Sequence, residues 1–329
     1  MAALRFRTEL PRPGGLPAIT HGTRVVAMGS CFADRIGGLL AGAKIPALVN
    51  PLGLAFNPIS LCRLLDAGLG TAPLMPWQWA AHSGLWHSFD LHSRFSDPDP
   101  AAAQARLDEA LGMLAAWLPR TDVLILTFGT AVTHRLLPAE AVVNNCHTYP
   151  AAAFRTALHD PAALYSQMRE TLGRLHALRP ELQVMLSVSP VRYLREGMQQ
   201  NSLSKAVLRV LCHQLCEADP RICYFPAWEL MMDDLRDYRY YQDDLIHPSD
   251  AAVRYIWEYV AEACFPPDTR ALIARWERVQ RDLAHRPMHP DPERHRAFLL
   301  QVQAQLLELH PLLGCEAELA EVAARLAGP

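Results

Sequence analysis

The chain has 329 residues, half of them hydrophobic and a fifth charged, which is long enough to bury an α/β core and still carry an appendage. Its net charge of -3 supplies no global basic field to draw it to nucleic acid or anionic lipid. No run of about 18 uncharged apolar residues occurs, so no membrane span is expected, and MAALRFRTELPRPGG lacks the apolar stretch of a secretory signal.

In chain order, short apolar runs alternate with amphipathic stretches. Residues 24–28 predict a strand and 33–43 a helix; a second short strand is expected at 46–49 and a helix at about 58–67. The segment 74–98, rich in Trp, His, Ser and Pro, has no clear period and predicts a long irregular excursion. A helix at 101–117 then leads to DVLILTF, 122–128, apolar on both faces as a central parallel strand should be. A helix at 161–178, a strand at 183–189, a helix at 202–217, a strand at 222–225 and a helix from Ser249 to 264 complete the series. Strands separated by helices call for a doubly wound parallel α/β sheet. Residues 1–265 are expected to form that domain and 266–329 a C-terminal helical extension of two or three helices, broken near 285–293.

In such a sheet, ligands bind at the carboxyl ends of the strands, where polar clusters recur here. The first strand ends in Gly29-Ser30, the second in Asn50-Pro51-Leu52-Gly53, the third in Gly129-Thr130 and the fourth in Ser189-Pro190-Val191-Arg192. Beyond the fifth lies Asp244-Leu245-Ile246-His247. A serine on a strand-to-helix turn exposes its hydroxyl beside a helix N-terminus, where positive potential favours an oxyanion. It becomes a nucleophile when a base takes its proton. A histidine three residues after an aspartate can serve, the carboxylate fixing the imidazole tautomer.

The motifs MGSCFAD, NPLGLAFNP, NNCH, SPVR, SKA and LRDYRYYQDDLIHPS, in that order between about residues 6 and 264, resemble the GSCFA family, itself similar to the SGNH (GDSL-like) hydrolases. The resemblance implies an SGNH/flavodoxin-like sheet of about five strands and a triad of Ser30, Asp244 and His247. It also implies an oxyanion hole built from the backbone N–H groups of Ser30 and Gly53. The superfamily's third block offers an Asn as a further donor, but Gly129-Thr130-Ala131 stands there instead, which leaves Asn145 as first candidate and Asn57 behind it.

Each of these residues also has a plainer reading. Ser30 suits an N-cap. Cys31 is a rival nucleophile, expected to point into the core as free cysteines commonly do. His147 is a rival base or substrate contact, or else a loop histidine bonded to backbone. Arg192 could grip a substrate carboxylate or phosphate, or pin a loop by pairing with Asp233, Asp234 or Asp237. Trp77, Trp79 and Trp86 could form a lid or simply anchor a loop. Ser204 and Lys205 are adjacent on a helix, diverge by about 100°, and cannot act as a dyad. His82, His87 and His92 lack metal-ligand spacing, so no metal or cofactor is expected. The eight cysteines show no CxxC pair, and Cys212 and Cys216 lie on an apolar helix face; reduced thiols in a cytoplasmic protein fit that pattern.

The chain therefore predicts a serine hydrolase of the esterase or deacylase type, acting through an acyl-enzyme on a small-molecule or saccharide acyl substrate. Two alternatives stand beside it: an acyltransferase using the same acyl-enzyme with a hydroxyl acceptor, and a non-catalytic binding or scaffold protein on the same fold. The C-terminal helices offer a surface for homo-oligomer formation.

Overall fold

The computed structural model describes residues 7–11, 13–74, 79–285 and 292–327. Its elements are β1 (Val25–Gly29), α1 (Cys31–Gly42), β2 (Ala47–Val49), α2 (Pro58–Gly68), β3 (Ala80–His82), β4 (Leu85–His87), α3 (Pro100–Trp117) and β5 (Val123–Phe128). Then follow β6 (Val132–Leu136), β7 (Ala141–Val143), β8 (Phe154–Leu158), α4 (Pro161–Leu178), β9 (Gln183–Val188), α5 (Met198–Ala218) and β10 (Ile222–Phe225). The chain closes with α6 (Ala227–Glu229), α7 (Asp250–Cys264), α8 (Pro267–Ala284), α9 (Pro292–Leu313) and α10 (Glu316–Ala327).

The main sheet runs β10-β9-β5-β1-β2, all parallel, the flavodoxin-like doubly wound order. Its central strands are buried at every residue in β1 and β5, because helices cover both faces. Val26, Met28, Leu124, Leu126 and Phe128 face a core shared with α2, α3, α4 and α5. Val25, Ala27, Val123 and Ile125 face α1 and α7. The chain leaves β1 towards β2 and later leaves β5 towards β9, so the sheet's direction reverses between β1 and β5. That switch point opens a crevice at the carboxyl ends of the two strands.

Two features were not anticipated. The excursion contains the antiparallel β3–β4 hairpin, and residues after β5 form a second, antiparallel sheet ordered β7-β6-β8. The excursion is a brace. Asp90, 2% exposed, pairs with Arg63 of α2, and Arg94 donates to Asn50 O and Pro51 O, each at 2.6 Å. Trp79 bonds Gln104 at 2.8 Å and Trp86 pairs with Asp97; Trp77 lies outside the described residues.

The C-terminal helices have their own core of Trp276, Val279, Leu299, Val302, Leu306 and Leu309. They are tied to the end of α1 by Trp276 Nε1 donating to Gly42 O at 2.7 Å and by Lys44 to Glu318 at 2.7 Å. All eight cysteines are free. Among the described residues no helix is long and apolar enough to cross a membrane.

Candidate active site

β1 ends on Gly29 at φ 141°, where a Cβ would lie 2.2 Å from Thr127 O of the neighbouring strand. Only glycine fits. Gly29→Ala is expected to cost roughly 2–4 kcal/mol of stability, measured as a shift in the denaturant midpoint. That close approach lets the chain turn at once into α1, with Ser30 as N-cap and its Oγ accepting from Phe32 N–H at 3.3 Å. The capping bond uses a lone pair of Oγ and leaves the hydroxyl proton free to donate.

Ser30 is 1% exposed and sits in a cavity of about 270 Å³ with Cys31, Leu54, Phe56, Val191, Ile246 and His247. The serine and histidine, 217 positions apart by number (247 − 30), thus face one recess. No hydrogen bond joins them; such contacts can tighten when substrate enters. A second cavity of about 250 Å³, bordered by Asp34, Arg35 and Gln242, shares Cys31, Val191 and His247 with the first.

Asp244 and His247 form a compact local unit. His247 Nδ1 meets Asp244 Oδ2 at 2.6 Å, while the backbone N–H groups of Ile246 and His247 donate to Oδ1 at 2.8 and 2.9 Å. The His247 N–H, then its ring, then the Ile246 N–H hold the Asp244 carboxyl down at about 2. An ionised carboxylate at that distance favours the tautomer that carries the proton on Nδ1. Straps hold this loop: Gln242 N–H to His247 O at 2.8 Å, Ser249 N–H to Tyr240 O at 2.8 Å, and Arg192 N–H to Ile246 O at 3.3 Å.

The oxyanion donors depart from expectation. Ser30 N–H donates to Thr127 O at 3.1 Å, extending the β1–β5 ladder, and Gly53 N–H donates to Asn50 O at 2.8 Å, closing a turn. Gly53 is required there for another reason: at φ 86° its Cβ would lie 2.3 Å from His92 Cβ. Asn57 is the N-cap of α2, its oxygen accepting from Ser60 N–H and its amide donating to Ser60 Oγ. Asn145 donates to Ser93 Oγ at 3.1 Å and accepts from His147 N–H, and does not border the Ser30 cavity. Both asparagines serve local turns.

The secondary candidates also resolve. His147 binds Ser88 O at 2.7 Å, and burial pushes its pKa down to about 4, so it is a neutral loop strut. Trp86, paired on β4, does not border the cavity. Arg192 does border it, and makes no ion pair with Asp233, Asp234 or Asp237; its guanidinium lies over Tyr241 at 4.2 Å. Cys31 is half-buried and borders both cavities, contrary to the expected core orientation. Phe32, Ala33, Ile36 and Leu40 form the buried stripe of α1, and Cys31 shares the other side with Asp34 and Arg35. Burial raises its thiol pKa, which disfavours the thiolate a nucleophile needs.

Two further residues build the site. Asn50, 1% exposed, accepts from Gly29 N–H at 2.8 Å and donates to Asp34 at 2.7 Å, locking the first strand end to the second. Lys205, 2% exposed, donates to Gly129 O and Ser189 O at 2.7 and 2.8 Å, joining the ends of β5 and β9. Its neighbour Ser204 accepts from Ala131 N–H at 2.7 Å. The signal for both lay in their motifs, NPLG and SKA.

Among solved structures, a carbohydrate esterase family 3 from Talaromyces cellulolyticus is similar at 10% identity over 77% of this chain and 98% of that chain, with a TM-score of 0.31. At that distance the likeness carries no argument about chemistry. No curated protein matches the chain. The profile of the GSCFA family matches residues 24–259, and that of the GSCFA domain protein, C-terminal domain, matches residues 276–328. The first of these spans most of the chain and takes in Ser30, Asp244 and His247 alike; the chain belongs to the GSCFA family.

Proposed function

We propose that the protein is a serine hydrolase of the esterase or deacylase type, with Ser30 as nucleophile, His247 as general base and Asp244 as its orienting carboxylate. The observation that carries this reading is the shared recess: a buried serine hydroxyl and an aspartate-bound imidazole border one largely apolar cavity at the switch point of the sheet. An acyl group would occupy that cavity. Ser30 Oγ attacks the carbonyl carbon as its proton passes to Nε2 of His247, and the imidazolium returns that proton to the departing alcohol or amine. Water then repeats the sequence and releases the acid.

The oxyanion formed at Ser30 competes with Thr127 O for the Ser30 N–H, through a three-centre bond or a small shift of the turn. The positive end of α1 adds to its stabilisation. Asp244→Asn is expected to lower kcat about 10³–10⁴-fold with little change in KM, since the amide no longer fixes the tautomer; steady-state hydrolysis of aryl esters measures it.

The second cavity, which shares His247 with the first and has Asp34 and Arg35 on its border, favours a second reading in which a hydroxyl acceptor replaces water. Partition of product between free acid and transferred acyl group, as acceptor is added, distinguishes the two. A fluorophosphonate probe tests the enzymatic reading itself. Labelling of Ser30, lost in Ser30→Ala and weakened in His247→Ala, supports it; folded protein that takes no label favours the scaffold alternative.

A further inference from the structure

Arg192 ends the SPVR motif after β9 and borders two recesses at once. One is the cavity holding Ser30 and His247; the other, of about 200 Å³, is bordered by Arg236, Asp237, Tyr238 and Tyr241. The Arg192 guanidinium lies over the rings of Tyr241 and Tyr238 at 4.2 and 5.3 Å. Contact of this kind holds the guanidinium beside the two rings, and although the Tyr241 hydroxyl takes one of its donors, the other N–H groups of the fork are able to donate.

Neither Arg192 nor Arg236 makes an ion pair with any carboxylate among the described residues, although acids surround them in sequence. Two of those acids, Asp234 and Asp237, are engaged elsewhere. Asp237 caps the turn at 238–240, accepting from Arg239 N–H at 2.9 Å, with its other oxygen 3.7 Å from Arg239 Nε. Asp234 is buried, accepts from Tyr255 Oη at 2.6 Å and lies 3.6 Å from Arg7. The recess is therefore bordered by two arginines that make no ion pair among the described residues, with the engaged Asp237 on its rim, and Arg192 is shared with the proposed acyl cavity.

We propose that the recess formed by Arg192, Arg236 and Tyr238 binds an oxyanion group, phosphate or carboxylate, carried by the substrate whose ester Ser30 attacks. That the bound anion belongs to the substrate rests on the hydrolase reading; the binding of the anion does not. A planar fork offering two parallel N–H donors suits either anion. Its place beside the apolar cavity makes the expected substrate amphiphilic in charge, with a neutral acyl ester at one end and a negative group at the other.

Calorimetric titration with phenyl phosphate and with benzoate tests the site, using wild-type protein, Ser30→Ala, Arg192→Gln, Arg192→Lys and Arg236→Gln. Saturable binding to wild type and Ser30→Ala alike, weakened about 10–100-fold by either Arg→Gln change and less by Arg192→Lys, is the expected result. The tighter of the two ligands identifies phosphate or carboxylate as the natural anion. In parallel, kcat/KM is compared for phenyl acetate, para-acetoxybenzoate and para-acetoxyphenyl phosphate. The anionic-to-neutral ratio is expected to fall about tenfold or more in either Arg→Gln protein.

A purely structural role for Arg192, bracing Tyr241 beneath the His247 loop, would lower all three esters equally and leave the ratio unchanged. That outcome, or an absence of saturable anion binding to wild type, overturns the proposal. Failure of the hydrolase reading has a different signature: no ester is turned over, yet phenyl phosphate still binds and still depends on both arginines.

Discussion

Ser30→Ala is expected to lower kcat/KM for para-nitrophenyl esters by about 10⁴–10⁶-fold. The loss in stability should be only about 1 kcal/mol, the usual worth of an N-cap hydroxyl, because the Oγ bond to Phe32 N–H is long at 3.3 Å. The disproportion is the informative part. A serine that merely capped α1 would show the small stability change and nothing in the kinetics. The partner variant is Cys31→Ala, since Cys31 borders the same cavity. Its thiol is held protonated by burial, so the variant should keep most of the activity. Loss of activity in Cys31→Ala with retention in Ser30→Ala would reassign the nucleophile.

The second large effect concerns Lys205. Burial pushes its ammonium down to about 7, and it is held by two carbonyls and the face of Trp228 at 4.9 Å. The unfolded chain keeps the ordinary lysine value near 10.5, so between pH 7 and 10.5 the unfolded state binds the additional proton. Stability must therefore rise with pH across that window, by about 1.4 kcal/mol per pH unit. Below pH 7 both states are protonated and the cost of burying the charge is complete. Denaturant unfolding at a series of pH values should show wild type gaining roughly 3–4 kcal/mol over Lys205→Met between pH 7 and 10. Parallel curves for the two proteins would mean that the ammonium is solvated or paired well enough to escape the cost of burial.

Lys205→Met should also loosen the site, because the ammonium bridges Gly129 O and Ser189 O. Those carbonyls end the two strands beside the crevice. Part of the activity loss in that variant is therefore a loss of position, recoverable in Lys205→Arg only to the extent that the larger fork fits.

What could be read from the residues was what depends on short-range pattern. VLILTF and VVAMG are apolar on both faces because helices cover both sides of the sheet, and periodicity alone reports that. Asp244 and His247 were legible for a similar reason: three residues of loop bring the carboxylate and the ring together without help from the rest of the fold. The β6–β7–β8 sheet was not, since VTHRL and FRTAL are short, mixed in polarity and stabilised by pairing over a long stretch of chain. The start of α1 at Cys31 rather than residue 33 follows from the cap at Ser30, which turns the helix sooner than its apolar pattern suggests.

The expected oxyanion donors share one feature. Asn57, Asn145, Gly53 N–H and Ser30 N–H are all chemically able to hold an oxyanion, and each is engaged by a partner close to it in space. A donor's identity is written in the sequence; its availability depends on which acceptor reaches it first. Lys205 is the converse case. On its helix it pairs with nothing nearby, and its partners are the ends of two strands remote in sequence.

The atom that carries the acyl group decides between a serine mechanism and any other. Turnover of a para-nitrophenyl ester, quenched in acid and followed by peptide mass mapping, reads that atom directly. The acyl group should be found on the hydroxyl of Ser30 and should accumulate when Asp244→Asn slows its release. An acyl group on Cys31, or on any residue outside the Ser30 cavity, would contradict the mechanism.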